Sequence, residues 1–147
     1  MVNIKKIAIK DLAELVRLSY KDDQAGFDKY HVAKYSYEQA VTRTLKMIAD
    51  QQQIKPMEYY GIYYNNEAIG YFVFFSGVLY SFAISKPFRI KRGVLRNWWE
   101  LAKSVMEDHF ICVLYRNNTR AIQFLKRLGM NEVEYNFEDK NLITLIN

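Results

Sequence analysis

The sequence predicts a single α+β (mixed α/β) domain over residues 1–147, with a central, mostly antiparallel sheet flanked by helices. Three observations lead there. The run EYYGIYYNNEAIGYFVFF (58–75) places two aromatic-rich strands around Asn65-Asn66, a strong hairpin signal. The stretch Val78 to Met130 reads strand, turn, helix, strand, helix, which supplies a βαβ unit. With only 2 Pro and 6 Gly in 147 residues, nothing in the chain has the composition of a linker or of a disordered tract.

Taken in order, residues 2–9 (VNIKKIAI) read as a first strand. Asp11 is the expected cap of a helix whose Leu12, Leu15, Val16 and Ser19 follow 3-4 spacing. Residues 20–35 mix charges and aromatics without a period and read as a loop. Ser36 and Gln39 form a capping-box pair, and the helix after them carries Tyr37, Ala40, Val41, Thr44, Leu45 and Ile48 on one face, ending near Gln52. Lys55-Pro56 breaks the chain before the hairpin. Ala68 to Ile84 is uncharged, but Ser76-Gly77 divides it, and its β-branched and aromatic content fits two adjacent strands better than a membrane helix.

The second half continues in the same way. A helix from about Val94 buries Leu95, Trp98, Leu101, Ala102, Val105 and Met106, with Trp99 expected to be partly exposed. Ile111–Tyr115 is a continuous apolar run, as a central strand would be. Asn117 or Asn118 caps the last helix, which turns Ala121, Phe124, Leu125 and Leu128 to one side and ends at Gly129. Residues 130–136 and 141–146 close the sheet. The order is β-α-α-β-β-β-α-β-α-β-β.

Composition excludes several function classes. The single Cys112 allows no internal disulfide and fits a reducing, cytoplasmic setting. Two His and one Cys, scattered, build no metal site. The N-terminal MVNIKKIAIK holds no apolar core of signal-peptide length, so no membrane partner is expected. No helix-turn-helix, zinc or RNA-binding signature is present, which argues against nucleic acid as the partner despite the net charge of +5.

That charge is concentrated. Lys86, Arg89, Lys91, Arg92, Arg96 and Lys103 face only Glu100 between residues 86 and 103. A strand that ends in a cationic, Gly93-containing turn and opens into a helix is a usual way to hold a phosphate, because the helix start offers unpaired N–H groups and a positive dipole end. A solvated basic face explains the same residues equally well.

The element order resembles the GNAT acyltransferase fold, and particular residues carry the resemblance. ISKPFRIKRGVLR (84–96) stands where that family has a hydrophobic-Pro-aromatic-Arg run, then Arg/Gln-x-x-Gly-x-Gly/Ala and a helix. NTRAIQFLKRLGM (118–130) follows the family's Asn-x-x-Ala-x-x-aromatic or Leu-Tyr-x-x-x-Gly-Phe closely. Two departures stand out. In one register Ile90 replaces the motif Arg or Gln and Leu95 replaces the second small residue. In the other, Arg89 opens the motif, and Arg92 and Val94 replace both glycines. Leu125 stands at the position of the family's tyrosine. Small GNAT-like proteins of short-tailed bacteriophages, including internal virion proteins, share such departures, and AIQFLKRLGM and RIKRGVLRNWW resemble them.

The resemblance implies an acetyl-CoA-dependent N-acetyltransferase that acts by direct attack of an amine, on a small molecule or a protein. It implies that the pantetheine arm pairs with the edge at Ala83, Ile84 and Ser85. The pyrophosphate is then held around Arg89, Lys91, Arg92, Gly93 and Arg96, and Asn118 lies near the arm. The catalytic residues stay open. Tyr115 is a substitute acid for Leu125, Glu58, Glu67 and His31 are the candidate bases, and Asp22, Asp23 and Asp28 of the 20–35 loop would suit a cationic amine. The alternative is a non-catalytic GNAT-like module that meets a protein partner or another copy of itself, in a virion or host cytoplasm if phage-encoded.

Overall fold

The computed structural model describes residues 1–20, 37–54, 57–106, 109–134 and 140–147. Its elements are β1 (Val2–Ile7), α1 (Ile9–Tyr20), α2 (Tyr37–Ile54), β2 (Glu58–Tyr64), β3 (Glu67–Phe75), β4 (Val78–Ile84), the single turn α3 (Lys86–Arg89), α4 (Val94–Val105), β5 (Ile111–Tyr115), α5 (Thr119–Arg127), β6 (Asn131–Val133) and β7 (Leu142–Ile146). The strands form one sheet in the order β1-β2-β3-β4-β5-β7-β6. Every pairing is antiparallel except β4 with β5. The expected order therefore holds, with α3 as an addition inside the basic turn. The 20–35 loop, Ser36, Lys55-Pro56, the far end of the 130–136 strand and the side chains of Ser19, Tyr37, Ala40 and Thr44 lie outside the described residues.

Turn chemistry fixes the antiparallel half. Asn65 and Asn66 both adopt positive φ, 47° and 69°, the backbone a two-residue hairpin of matching twist requires. Ser76 and Gly77 repeat the device between β3 and β4, at 41° and 79°. The first helix begins at Ile9 rather than at Asp11. Ala8 accepts the Asp11 N–H at 3.0 Å, which leaves Asp11 in the first turn, where its charge complements the helix dipole.

Each face of the sheet has its own core. On one side Leu12, Leu15 and Val16 of α1 and Val41 and Ile48 of α2 pack against Tyr59, Tyr71 and Val73. On the other, α4 and α5 cover β1 to β5 with Trp98, Trp99, Ala102, Ile122 and Leu125. Trp99 is 1% exposed, not partly exposed as anticipated. The segment leading into β5 places Phe110 against it, ring centroids 5.4 Å apart, so the apolar stripe of α4 is wider than its period suggests. On α5, Ile122 joins Leu125 in the core while Ala121 and Phe124 are half-buried.

The last helix ends as anticipated at Gly129, whose φ is 104°. The Met130 N–H bonds the Leu125 carbonyl and the Gly129 N–H bonds the Lys126 carbonyl, each at 3.1 Å, a Schellman closure. Met130 beyond it is buried and anchors the return into β6.

Gly70 sets how closely β3 and β4 approach. A Cβ there would lie 2.2 Å from the Ala83 carbonyl oxygen and 3.0 Å from the Ile84 Cα, both backbone atoms that cannot turn aside. Gly70→Ala is therefore expected to cost about 2 kcal/mol or more by overpacking, read as a lower urea midpoint at unchanged slope.

Candidate functional site

The site begins with an irregularity in β4. Leu79 pairs with Phe74 and Ser81 with Val73, so Tyr80 is one residue more than the β3 register accommodates. A bulge bends its strand and tightens its twist. On the other edge, β4 pairs with β5 only through Val78–Ile111 and Leu79–Cys112. Pairing thus stops at the residue before the bulge, and from there the two parallel strands diverge.

The gap is a cavity of about 470 Å³. Tyr80, Ser81, Phe82, Ala83 and Ile84 line it from β4, and Cys112, Val113, Leu114 and Tyr115 from β5. Consecutive residues on both strands line it, and side chains alternate between faces, so the opening passes through the sheet. Asn118, Arg120, Ala121, Phe124 and Arg127 close it from α5, and Lys86, Arg89, Ile90 and Leu95 from the α3–α4 side. Phe82, Trp98 and Phe124 brace its inner wall: Phe82 stacks on Trp98 at 5.3 Å and Trp98 on Phe124 at 6.1 Å between ring centroids.

β5 takes the central place expected of it, between β4 and β7, but its two faces are not equally buried. Its residues are apolar throughout, yet Val113 is 38% and Tyr115 47% exposed. Cys112 and Leu114, on the other face, are buried, so the continuous apolar run belongs to a strand with one covered face.

Of the residues the sequence assigns to the cofactor site, Ala83, Ile84, Arg89 and Asn118 line the cavity, as does Tyr115, the candidate acid. Ser85, Lys91, Arg92, Gly93 and Arg96 do not. Ser85 donates its N–H to the Ile69 carbonyl at 2.8 Å and accepts from the N–H groups of Phe88 and Arg89, so it starts α3. Lys91 lies with its ammonium 4.5 Å from the Tyr64 ring centroid and 5.6 Å from that of Phe88, turned to the β2 side. Gly93, at φ 82°, is the N-cap of α4, and its carbonyl accepts the Asn97 N–H at 2.9 Å. Arg92 and Arg96 are exposed beside it. Asn118 is the N-cap of α5 through its backbone alone; its side chain makes no capping bond.

Lys86, counted in the basic run but not placed in the site, joins Arg89 at the cavity, and so do Arg120 and Arg127, which the sequence reading did not pick out. Arg120 and Arg127 were legible only as ordinary helix-surface charge; a period of 3.6 would have shown that residues 120, 124 and 127 share one side of α5. No carboxylate lines the cavity among the described residues. Glu58 is paired with Lys6 at 2.9 Å, and Glu67 is exposed at the hairpin. His31, Asp22, Asp23 and Asp28 lie outside the described residues. Leu125 is fully buried in the core, and Phe124 is the α5 aromatic that meets the cavity. Among the described residues no group of acidic, His and Cys side chains could hold a metal ion, and no helix is long and apolar enough to cross a membrane.

With this geometry the likeness to known structures is unambiguous at the level of fold: the chain has the GNAT acyl-CoA N-acyltransferase fold. An acetyltransferase from Thermus thermophilus superposes with a TM-score of 0.74 at 18% identity, over 100% of this chain and 96% of that one. PaiA N-acetyltransferase from Thermoplasma acidophilum, in complex with coenzyme A, gives 0.61 at 18% identity over 99% and 98%. Campylobacter jejuni N-acetyltransferase PseH, in complex with acetyl coenzyme A, gives 0.56 at 14% over 100% and 98%. No family sequence model and no curated protein sequence matches the chain.

Cys112 sits at the apex of the gap, and burial pushes its thiol up to about 12. The thiol is neutral near pH 7 and is no nucleophile there. Because its folded value exceeds the unfolded one, the folded state keeps a proton that the unfolded chain loses, and stability falls as pH rises from about 9 toward 12. Burial raises Tyr59 and Tyr60 in the same direction. Cys112→Ala is expected to flatten, without abolishing, the loss of urea stability above pH 9, and the native thiol should resist alkylation until the chain unfolds.

Proposed function

We propose that this protein is an acetyl-CoA-dependent N-acetyltransferase that passes an acetyl group from the thioester to an amine by direct attack. The observation that carries the reading is the through-sheet gap between β4 and β5, with cations at the helix-start end and none of the described carboxylates in its lining. A thioester on a long, phosphate-bearing arm is a ligand of that shape. Beyond Leu79 no strand among the described residues pairs with this edge of β4, so Ala83 and Ile84 can offer backbone groups to the amides of a pantetheine arm, whereas Ser85, its N–H and carbonyl taken by Ile69, Phe88 and Arg89, cannot.

The phosphates would lie where β4, α3 and α5 converge. Arg89, Lys86, Arg120 and Arg127 give that end its charge, and Asn118 adds an amide that makes no capping bond. The N-terminus of α4, with Gly93 as its cap and Arg92 and Arg96 exposed beside it, adds a positive dipole end at the rim. Lys91, held against Tyr64, is assigned no part in it. Direct transfer then depends on position: a neutral amine held against a polarised carbonyl needs little base strength. The acceptor is a small-molecule or protein amine.

A second reading draws on two side chains. Leu125 fills the core where the family's tyrosine stands, and Leu95 lines the cavity where the motif has a small residue. A GNAT-like module that binds a partner without catalysis fits both.

Isothermal titration with acetyl-CoA separates the two. Micromolar binding is expected for the enzyme; no binding at millimolar ligand leaves the non-catalytic module. Arg89→Ala combined with Arg120→Ala is expected to weaken binding by about 2–3 kcal/mol, roughly a hundredfold, as two charge-assisted contacts are lost. Unchanged affinity would remove the phosphates from this end of the cavity.

A further inference from the structure

We infer that the Ser81 hydroxyl, oriented by Tyr71, is the proton relay of the transfer, an assignment that rests on acetyl-CoA being the donor. The position comes first. The arm enters at the cationic end, near Ile84 and Asn118, and runs toward the apex at Leu79 and Cys112. The groups met just short of the apex are Tyr80, Ser81 and Val113. Tyr115 lies at the opposite end of β5, 47% exposed, too far along the strand to serve the same point.

The second observation is a hydrogen bond. Tyr71 of β3 has no exposed surface, and its phenol oxygen lies 2.9 Å from Ser81 Oγ. With Tyr71 as the donor, the Ser81 proton is left free to point into the cavity. The bulge at Tyr80 sets this geometry, because the extra residue changes which side of β4 each following side chain takes. Among the described lining residues there is no carboxylate and no imidazole to do the work instead.

The step balances. The amine nitrogen bonds to the thioester carbonyl carbon, and the C–S bond breaks with its electron pair going to sulfur. An N–H proton passes to Ser81 Oγ as the Ser81 O–H proton passes to the departing sulfur. Serine ends as it began, and the products are an amide and the free coenzyme thiol. Tyr71 touches neither reactant and is a positioning residue.

The test needs no knowledge of the acceptor. Ser81→Cys places a thiol where the hydroxyl stands, and that thiol can take the acetyl group itself by thioester exchange, releasing coenzyme thiol. Acetyl-CoA is the probe, intact mass and fragment mapping the readout, wild type the measure of any reaction at Cys112, and Ser104→Cys, exposed on α4, the control for unassisted chemistry. One acetyl at position 81, gained at least about tenfold faster than in the control, is expected from proximity alone. Adding Tyr71→Phe should raise the pH at which labelling is half-maximal, since the thiolate loses a donor, while calorimetric affinity for acetyl-CoA stays the same. Binding without selective labelling overturns the Ser81 assignment only, and an unmoved pH midpoint overturns the role of Tyr71. If wild type does not bind acetyl-CoA, the donor reading fails and this assignment fails with it.

Discussion

The parting of β4 from β5 is the constraint on which the rest of the structure depends. A sheet gains by pairing every strand along its length, and an unpaired edge leaves backbone groups that must find other partners. Here the pairing ends after Leu79 and Cys112 because the next β4 residue, Tyr80, is surplus to the β3 register. The bulge turns β4 away, and β5 continues in register with β7 from Ile111 to Tyr115. The gap would close if nothing filled the angle between the strands. Phe82, Trp98 and Phe124 fill it from below, each pair adding about 0.5–1.5 kcal/mol beyond plain burial. So α4 and α5 hold the gap open as well as covering the core.

Much of the fold was legible because it is written in local rules. Asn65-Asn66 demands a tight hairpin, Gly129 a helix end, and the apolar spacing of 94–105 a helix on a sheet, and each appears where expected. The misplacements share one physical cause. Trp99 is buried by Phe110, a residue that no periodic pattern of α4 itself contains. Val113 and Tyr115 look like core in a five-residue apolar run and are exposed, on the face of β5 opposite the buried Cys112 and Leu114. Sequence patterns report what a segment can bury. They do not report which neighbour arrives to cover it.

The basic turn shows the same limit at the level of single side chains. Its charge was plain, but the direction of each cation depends on Pro87 opening a turn of helix at Lys86–Arg89. Arg89 then faces the cavity, and Lys91, two residues on, rests against Tyr64. Two further cations, Arg120 and Arg127, reach the same cavity from α5, with α4 and β5 intervening in the chain. A count of charges along 86–103 could not have paired them with Arg89.

On the acetyl-transfer reading proposed above, the site works without the residues that usually perform that task. A motif with small residues at the helix start lets backbone N–H groups come close to a phosphate. Leu95 in the cavity wall works against that approach, whereas arginine side chains reach a phosphate from a distance and hold it with paired N–H groups. Four cations drawn from α3 and α5 therefore suit a site whose loop backbone is obstructed. The proposed proton relay follows the same logic. With Leu125 sealed in the core, α5 has no hydroxyl to offer at its family position, and the hydroxyls that remain near the apex stand on β4, one of them hydrogen-bonded to a buried tyrosine of β3. The bulge that opens the cavity is also what brings that hydroxyl to its wall.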